Sequence, residues 1–94
     1  MKASELLADP ARWAVRAYAH TREGKSVRAD DRLAVAWDAS GAIQKCYGWN
    51  TPMQKEAWRK ANTLARARYA LPLSHVNDRL GYLAVRQLLE DLDV

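Results

Sequence analysis

The stretch that decides the fold is DDRLAVAWDASGAIQKCYGW, residues 30–49. Wound as an α-helix over residues 31–47, at about 100° per residue, it carries apolar side chains on nearly every side. Its polar side chains form a single line, which consists of Asp31, Asp38 and Lys45. Because a helix that is apolar almost all round must be covered by its neighbours, we predict that residues 31–47 form a central buried helix.

Small residues lie in the middle of this stretch. Ser40, Gly41 and Ala42 leave room for another backbone segment to pass close to the helix. The large side chain of Trp37 precedes them, and we expect it in the core together with Trp13.

Length and composition indicate a small globular domain. A chain of 94 residues with 49% apolar residues forms one domain, residues 1–94, around one core. No apolar run is long enough to cross a membrane, and the first residues lack the pattern of a signal peptide. The lone Cys46 excludes an internal disulfide and a cysteine-rich zinc site. These features predict a cytoplasmic protein.

Two further helices follow the central one. Thr51 as N-cap, Pro52 at the first helical position and Gln54 three residues after the cap predict a helix that runs to about Tyr69. Its predicted apolar face consists of Met53, Ala57, Ala61 and Leu64, and its exposed face of Lys55, Arg59, Asn62 and Arg66. A last helix is predicted for residues 82–92, with Val85, Leu88, Leu89 and Leu92 as its apolar stripe.

Residues 10–20 fit two structures. Asp9 followed by Pro10 is a good helix start, and the alanine-rich sequence after it favours a helix. The same residues alternate between apolar and polar as in a half-buried strand, and a turn at residues 21–24 would let residues 25–28 return antiparallel. The residue pattern alone slightly favours the helix over the strand.

The C-terminal third contains a connector and a turn. We expect a short, extended connector at residues 73–76, and a turn at residues 77–81 in which Asn77 and Asp78 cap the last helix. The acidic residues at the end of that helix need solvent or a basic neighbour, because the helix dipole disfavours negative charge there. We expect Lys55, Arg59 and Arg66 to supply it.

The order of motifs resembles a known family. A tryptophan and a glycine turn (Trp13 and Gly24) precede the helix AVAWDASGAI at residues 34–43, and an Asn77-Asp78 turn precedes the final Leu-rich helix. This arrangement resembles a small family found in bacterial and phage genomes and catalogued as a domain of unknown function, whose members share the pattern A-V-x-W-C-x-x-G-A-I. The resemblance covers most of residues 13–92.

The resemblance implies a strand of a small hairpin at residues 14–20 and carries no established activity. Two positions depart from the family pattern, since Asp38 stands where the family often has Cys and Val76 where it often has Trp. Any chemistry of that cysteine is therefore absent here. The fold class predicted from all these features is mainly α (small α+β): a central buried helix packed by two further helices, with a short β-hairpin near residues 14–28.

The sequence favours a binding protein over an enzyme. Cys46 has no histidine nearby, and His20 and His75 are isolated, so we predict no catalytic residues, no metal site and no cofactor. A polar site that joins His75 to Asn77 and Asp78 is the alternative to their role as caps.

The excess positive charge is local. Residues 51–70 hold five Lys and Arg residues against one Glu. We therefore predict a non-enzymatic binding or regulatory accessory protein, of bacterial or phage type, that acts on a protein partner. Its predicted contact residues are Trp49, Lys55, Trp58, Arg59 and Arg66. The alternative is a nucleic-acid-binding protein that uses the basic helix 52–69.

Overall fold

The computed structural model describes residues 1–94, which form five α-helices and a three-stranded antiparallel sheet. The helices are α1 (Ala3–Leu6), α2 (Ala39–Tyr47), α3 (Pro52–Tyr69), α4 (Leu73–His75) and α5 (Tyr82–Leu92). The strands are β1 (Ala19–His20), β2 (Ser26–Val27) and β3 (Ala36–Trp37), in the order β2-β1-β3. A 3₁₀ turn lies at Pro10–Arg12 and a π-helical turn at Val76–Leu80. The predicted mainly α fold with a small hairpin is confirmed.

The central helix is shorter than the sequence predicts. It begins at Ala39 and not at residue 31, because the side chain of Asp38 caps it by accepting a hydrogen bond from the Gly41 N–H at 2.6 Å. The residues before it form β3, which pairs with β1. Hydrogen bonds to residues 18–20 thus replace helical ones at residues 35–38, and residues 31–34 form a turn.

The predicted burial of the central segment is confirmed from Ala36 to Ile43, whereas the last turn of α2 is partly exposed. Trp37 is 7% exposed and Ile43 is fully buried, and both belong to one core of 18 residues. Leu33 and Val35, which precede β3, lie on the surface instead.

A close approach of two backbones joins the sheet to α2. A Cβ atom added to Gly41 would lie 1.7 Å from the carbonyl oxygen of Tyr18, so only glycine fits there. The predicted passage of a second backbone segment beside Ser40, Gly41 and Ala42 is confirmed. The segment is the end of the extended stretch before β1, and Tyr18 makes the contact.

The ambiguity at residues 10–20 is resolved in favour of the hairpin. The Asp9 side chain caps a single 3₁₀ turn by accepting from the Ala11 N–H at 2.9 Å. The chain then becomes extended, and the Ala14 N–H donates to the carbonyl oxygen of Trp37 at 2.9 Å. The helix propensity of these residues does not prevail, because β1 pairs with β2 on one side and with β3 on the other.

Helices α3 and α5 have the predicted bounds. The Thr51 hydroxyl accepts from the Gln54 N–H at 3.0 Å, and α3 ends where Ala70 adopts a left-handed conformation with φ 58°. The buried face of α3 is a line of small residues, which consists of Ala57, Ala61 and Ala65. Met53, predicted on the apolar face, is 65% exposed.

Two predictions for the C-terminal third are wrong. The connector is helical, because α4 leads directly into the π-helical turn that Gly81 ends with φ 96°. The acidic residues after Leu89 do not contact Lys55, Arg59 or Arg66. Their partners are Arg86 for Glu90, Arg68 for Asp91 and Lys2 for Asp93.

None of the five helices has the length and apolar character that a membrane-spanning helix needs.

Candidate functional site

All five residues predicted to contact a partner lie on the surface. Trp49 is 62% exposed and Trp58 is 40% exposed. Lys55, Arg59 and Arg66 are also exposed, and their spacing of four and seven residues places them along one side of α3. The structure thus brings the three cations together on one helix, with Trp58 one position before Arg59.

The cations of α3 differ in how far they are neutralised. The Arg59 side chain donates to both carboxylate oxygens of Glu56, at 2.6 and 3.0 Å, and this contact lowers the pKa of Glu56. Arg68 pairs with Asp91 at 2.8 Å. Three cations of α3 have no acidic side chain within the 4.0 Å that defines an ion pair: Lys55, Lys60 and Arg66. Their charge remains available for an external partner.

Trp49 also lines a cleft that the sequence did not indicate. The cleft has a volume of about 280 Å³ and is lined by Tyr18, Arg28, Ala29, Asp30, Gln44 and Trp49. Tyr18 and Trp49 are 55% and 62% exposed, so two aromatic side chains border an open site. We call this site the Tyr18–Trp49 cleft.

The walls of the cleft are fixed by buried contacts. The backbone of Tyr18 is held against Gly41, and Gln44 lies one helical turn further along α2. The indole N–H of Trp37 donates to the carbonyl oxygen of Ala29 at 2.9 Å and holds the wall formed by residues 28–30. Five of the six lining residues lie in loops and turns, and these two contacts attach two of those segments to the core.

The turn that carries Trp49 is held at both ends. Gly48 ends α2 with φ 90°, a conformation that favours glycine. The hydroxyl of Thr51 donates to the carbonyl oxygen of Tyr47 at 2.6 Å while it caps α3. The Trp49 side chain is thus exposed on a turn whose backbone is well defined.

The polar side of the cleft is electrically balanced. The Arg28 guanidinium lies 3.1 Å from the carboxylate of Asp30, and both side chains are more than half exposed. Gln44 adds an amide that can both donate and accept hydrogen bonds. The cleft therefore offers aromatic surface and neutral hydrogen-bonding groups.

A second concave surface lies at the start of α3. It has a volume of about 340 Å³ and is lined by residues that include Tyr47, Met53, Lys60 and Val94. It is more open than the Tyr18–Trp49 cleft and has no exposed aromatic pair.

Asn77 is a structural residue, which corrects the prediction that it caps the last helix. Its amide oxygen accepts from the Trp13 indole N–H and from the Ala39 N–H, both at 2.9 Å. Its amide nitrogen donates to the Ala14 carbonyl oxygen and to the Asp78 carboxylate, both at 3.0 Å. All hydrogen-bonding positions of this buried amide are satisfied, so it joins three segments and presents no free group to a ligand.

The alternative polar site at His75 does not form. His75 is exposed and makes no side-chain hydrogen bond to Asn77 or Asp78. Asp78 instead accepts from the Arg16 N–H at 3.0 Å, where Arg16 adopts φ 60°.

The buried Asp38 and the half-buried Cys46 have raised pKa values. Burial raises the pKa of Asp38 to about 6, against a hydrogen bond from Gly41 that lowers it, and the charge of Asp78 raises it further. Burial also raises the pKa of the Cys46 thiol, which disfavours the thiolate that a nucleophile requires. No three His, Cys, Asp or Glu side chains come together in an arrangement that could hold a metal ion.

Comparison with protein families, with curated proteins and with solved structures found no match to this chain. The site is therefore interpreted from its own geometry.

Sequence reasoning found the α3 surface and missed most of the cleft. Trp49 was among the predicted contacts, whereas Tyr18, Arg28, Asp30 and Gln44 were not. Their side chains come from three segments that are distant in sequence, and no local spacing marks them. Gly41 was the one available signal, because the backbone that passes beside it belongs to Tyr18.

Proposed function

We propose that this protein is a non-enzymatic binding module of bacterial or phage type that acts on a protein partner through the surface of residues 49–68. Trp49, Lys55, Trp58, Arg59 and Arg66 are its contact residues. We also propose that the protein acts in the cytoplasm and that it is related to the bacterial and phage family that its sequence resembles.

The observation that supports it is the exposure of two tryptophans beside unneutralised cations. A tryptophan that is half exposed leaves a large apolar area in water, which a partner can cover. Tryptophan and arginine are also the residues that most often dominate the binding energy of protein interfaces. The other two tryptophans have structural roles, since their indole N–H groups bond to Asn77 and Ala29.

The test is the effect of charge reversal on an identified complex. A partner is first identified by co-purification and mass spectrometry, and then purified. We expect the variant Lys55→Glu/Arg59→Glu to bind it at least about tenfold more weakly, because the attractive charge of Lys55 is reversed and the Glu56 carboxylate, which Arg59 neutralises, is left beside a second carboxylate. The matched control is Arg22→Glu/Lys25→Glu, which changes the same net charge at the exposed turn between β1 and β2. Equal affinity of both variants and the wild type would exclude this surface.

Nucleic acid is the second candidate partner of the basic helix 52–69. The specific observation in its favour is that Lys55, Lys60 and Arg66 on α3 form no ion pair. Fluorescence anisotropy with single-stranded and duplex oligonucleotides at several salt concentrations distinguishes the two partners. Phosphate contacts make the affinity fall steeply with salt, whereas an interface anchored by tryptophan depends on it weakly.

A further inference from the structure

We propose that the Tyr18–Trp49 cleft receives an aromatic side chain from an acidic peptide segment. This inference rests on the proposed function and specifies the partner: a protein segment in which acidic residues flank one aromatic residue.

The walls of the cleft favour an aromatic occupant. Tyr18 and Trp49 belong to different segments and border the same site, so a third ring can contact both. Aromatic pairs prefer offset-stacked or edge-to-face geometries, which an open cleft between two exposed rings permits. The backbones that carry the two residues are already fixed at Gly41 and at Thr51, so binding needs little ordering of the main chain.

The polar groups of the cleft suit a neutral side chain. Arg28 and Asp30 neutralise each other, which gives no excess charge at the mouth of the cleft. Gln44 can bond to the hydroxyl of a tyrosine or to the indole N–H of a tryptophan.

The residues next to the cleft favour acidic flanks. Helix α3 begins three residues after Trp49, and its cations without ion pairs include Lys55 one turn from its start. Residues 51–70 carry the whole excess of positive charge. A segment anchored in the cleft and continuing along α3 would gain from carboxylates at this surface.

The rim of the cleft also favours a peptide over a nucleotide. In a nucleic acid each base is tied to its own phosphate, and the ion pair of Arg28 with Asp30 leaves no excess positive charge at the cleft to bind that phosphate. In an extended peptide the distance from the aromatic residue to the acidic ones can vary by about 3.3 Å per residue. The acidic groups can thus lie on α3 and away from Asp30.

The test uses a short synthetic peptide of Asp and Glu around one tyrosine, with a matched peptide that has alanine in its place. Binding is followed by NMR of the ¹⁵N-labelled protein, whose four tryptophan indole N–H signals are assigned with single Trp→Phe variants. We expect the tyrosine peptide to shift the Trp49 signal, to leave that of Trp13 unchanged, and to bind at least about tenfold more tightly than the alanine peptide. Trp49→Ala and Tyr18→Ala should each weaken binding of the tyrosine peptide about tenfold, whereas Leu83→Ala, an exposed residue of α5, should not change it.

Three results would overturn this inference. Equal binding of the two peptides would show that the charge of α3 alone is recognised. Failure of both peptides, while the purified partner still depends on Lys55 and Arg59, would leave the proposed function standing without the cleft. A shift of the Trp49 signal by an oligothymidylate, and not by the tyrosine peptide, would assign the cleft to a nucleobase.

Discussion

Asp38 caps α2 with a carboxylate that is 9% exposed. Its hydrogen bond to the Gly41 N–H favours the charged form, and its burial and the nearby Asp78 favour the neutral form. Burial has the largest effect, so the pKa rises to about 6 from an ordinary value of about 3.9. Near neutral pH, where the buried carboxyl group must be charged, Asp38 therefore lowers the free energy of unfolding although it caps the helix.

The pH dependence of stability follows from this shift. Between about pH 4 and pH 6 the folded protein holds a proton on Asp38 that the unfolded chain has released. The stability that this group contributes is therefore complete below pH 4 and is lost as the pH rises through 6. The loss amounts to at most about 3 kcal/mol.

We predict that Asp38→Asn is more stable relative to the wild type at pH 7.5 than at pH 4.5. Asparagine is an equally good N-cap and does not titrate. The measurement is urea denaturation of both proteins at the two pH values. The effect of pH on the other carboxylates is common to both proteins and cancels in the difference between their free energies of unfolding. A difference in the free energy of unfolding that is the same at both pH values would contradict the burial of a titrating Asp38.

The start of a helix was predictable where one cap signal stands alone. Thr51 is followed by Pro52 and Gln54, and no competing cap lies nearby, so α3 begins where the sequence predicts. The stretch before it has aspartates at two places: Asp30 and Asp31, where the predicted helix starts, and Asp38, which lies inside the predicted helix and is the cap in the structure. The choice between them depends on the pairing of β3 with β1, which is a long-range contact that periodicity does not reveal.

We predict that Thr51→Ala lowers the free energy of unfolding by about 1–2 kcal/mol. The hydroxyl both caps α3 and bonds to the carbonyl oxygen of Tyr47, so alanine leaves two backbone groups without a partner. Thr51→Ser is the matched control, since it retains the hydroxyl and should lose less than half as much. Chemical denaturation of the three proteins at one pH is the measurement, and an unchanged Thr51→Ala variant would contradict this role.

At the scale of the whole molecule, the sequence predicted which surface is charged but not which surfaces are concave. A charge count along the chain found the cations of α3, because a surface helix keeps them in solvent. The Tyr18–Trp49 cleft forms only when residues 28–30, Gln44 and the turn after α2 meet. The hydrogen bonds of Asn77 were not predictable either, because three of its four partners lie more than 35 residues away in sequence.

The central claim is that the segment around Trp37 is enclosed and that Trp49 and Trp58 remain outside it. Hydrogen exchange of the four indole N–H groups, followed by NMR without any ligand, tests this claim most directly. We predict slow exchange for Trp13 and Trp37, whose indoles donate to Asn77 and Ala29, and exchange close to that of a free indole for the other two. Rapid exchange at Trp37, or protection at Trp49, would contradict the account.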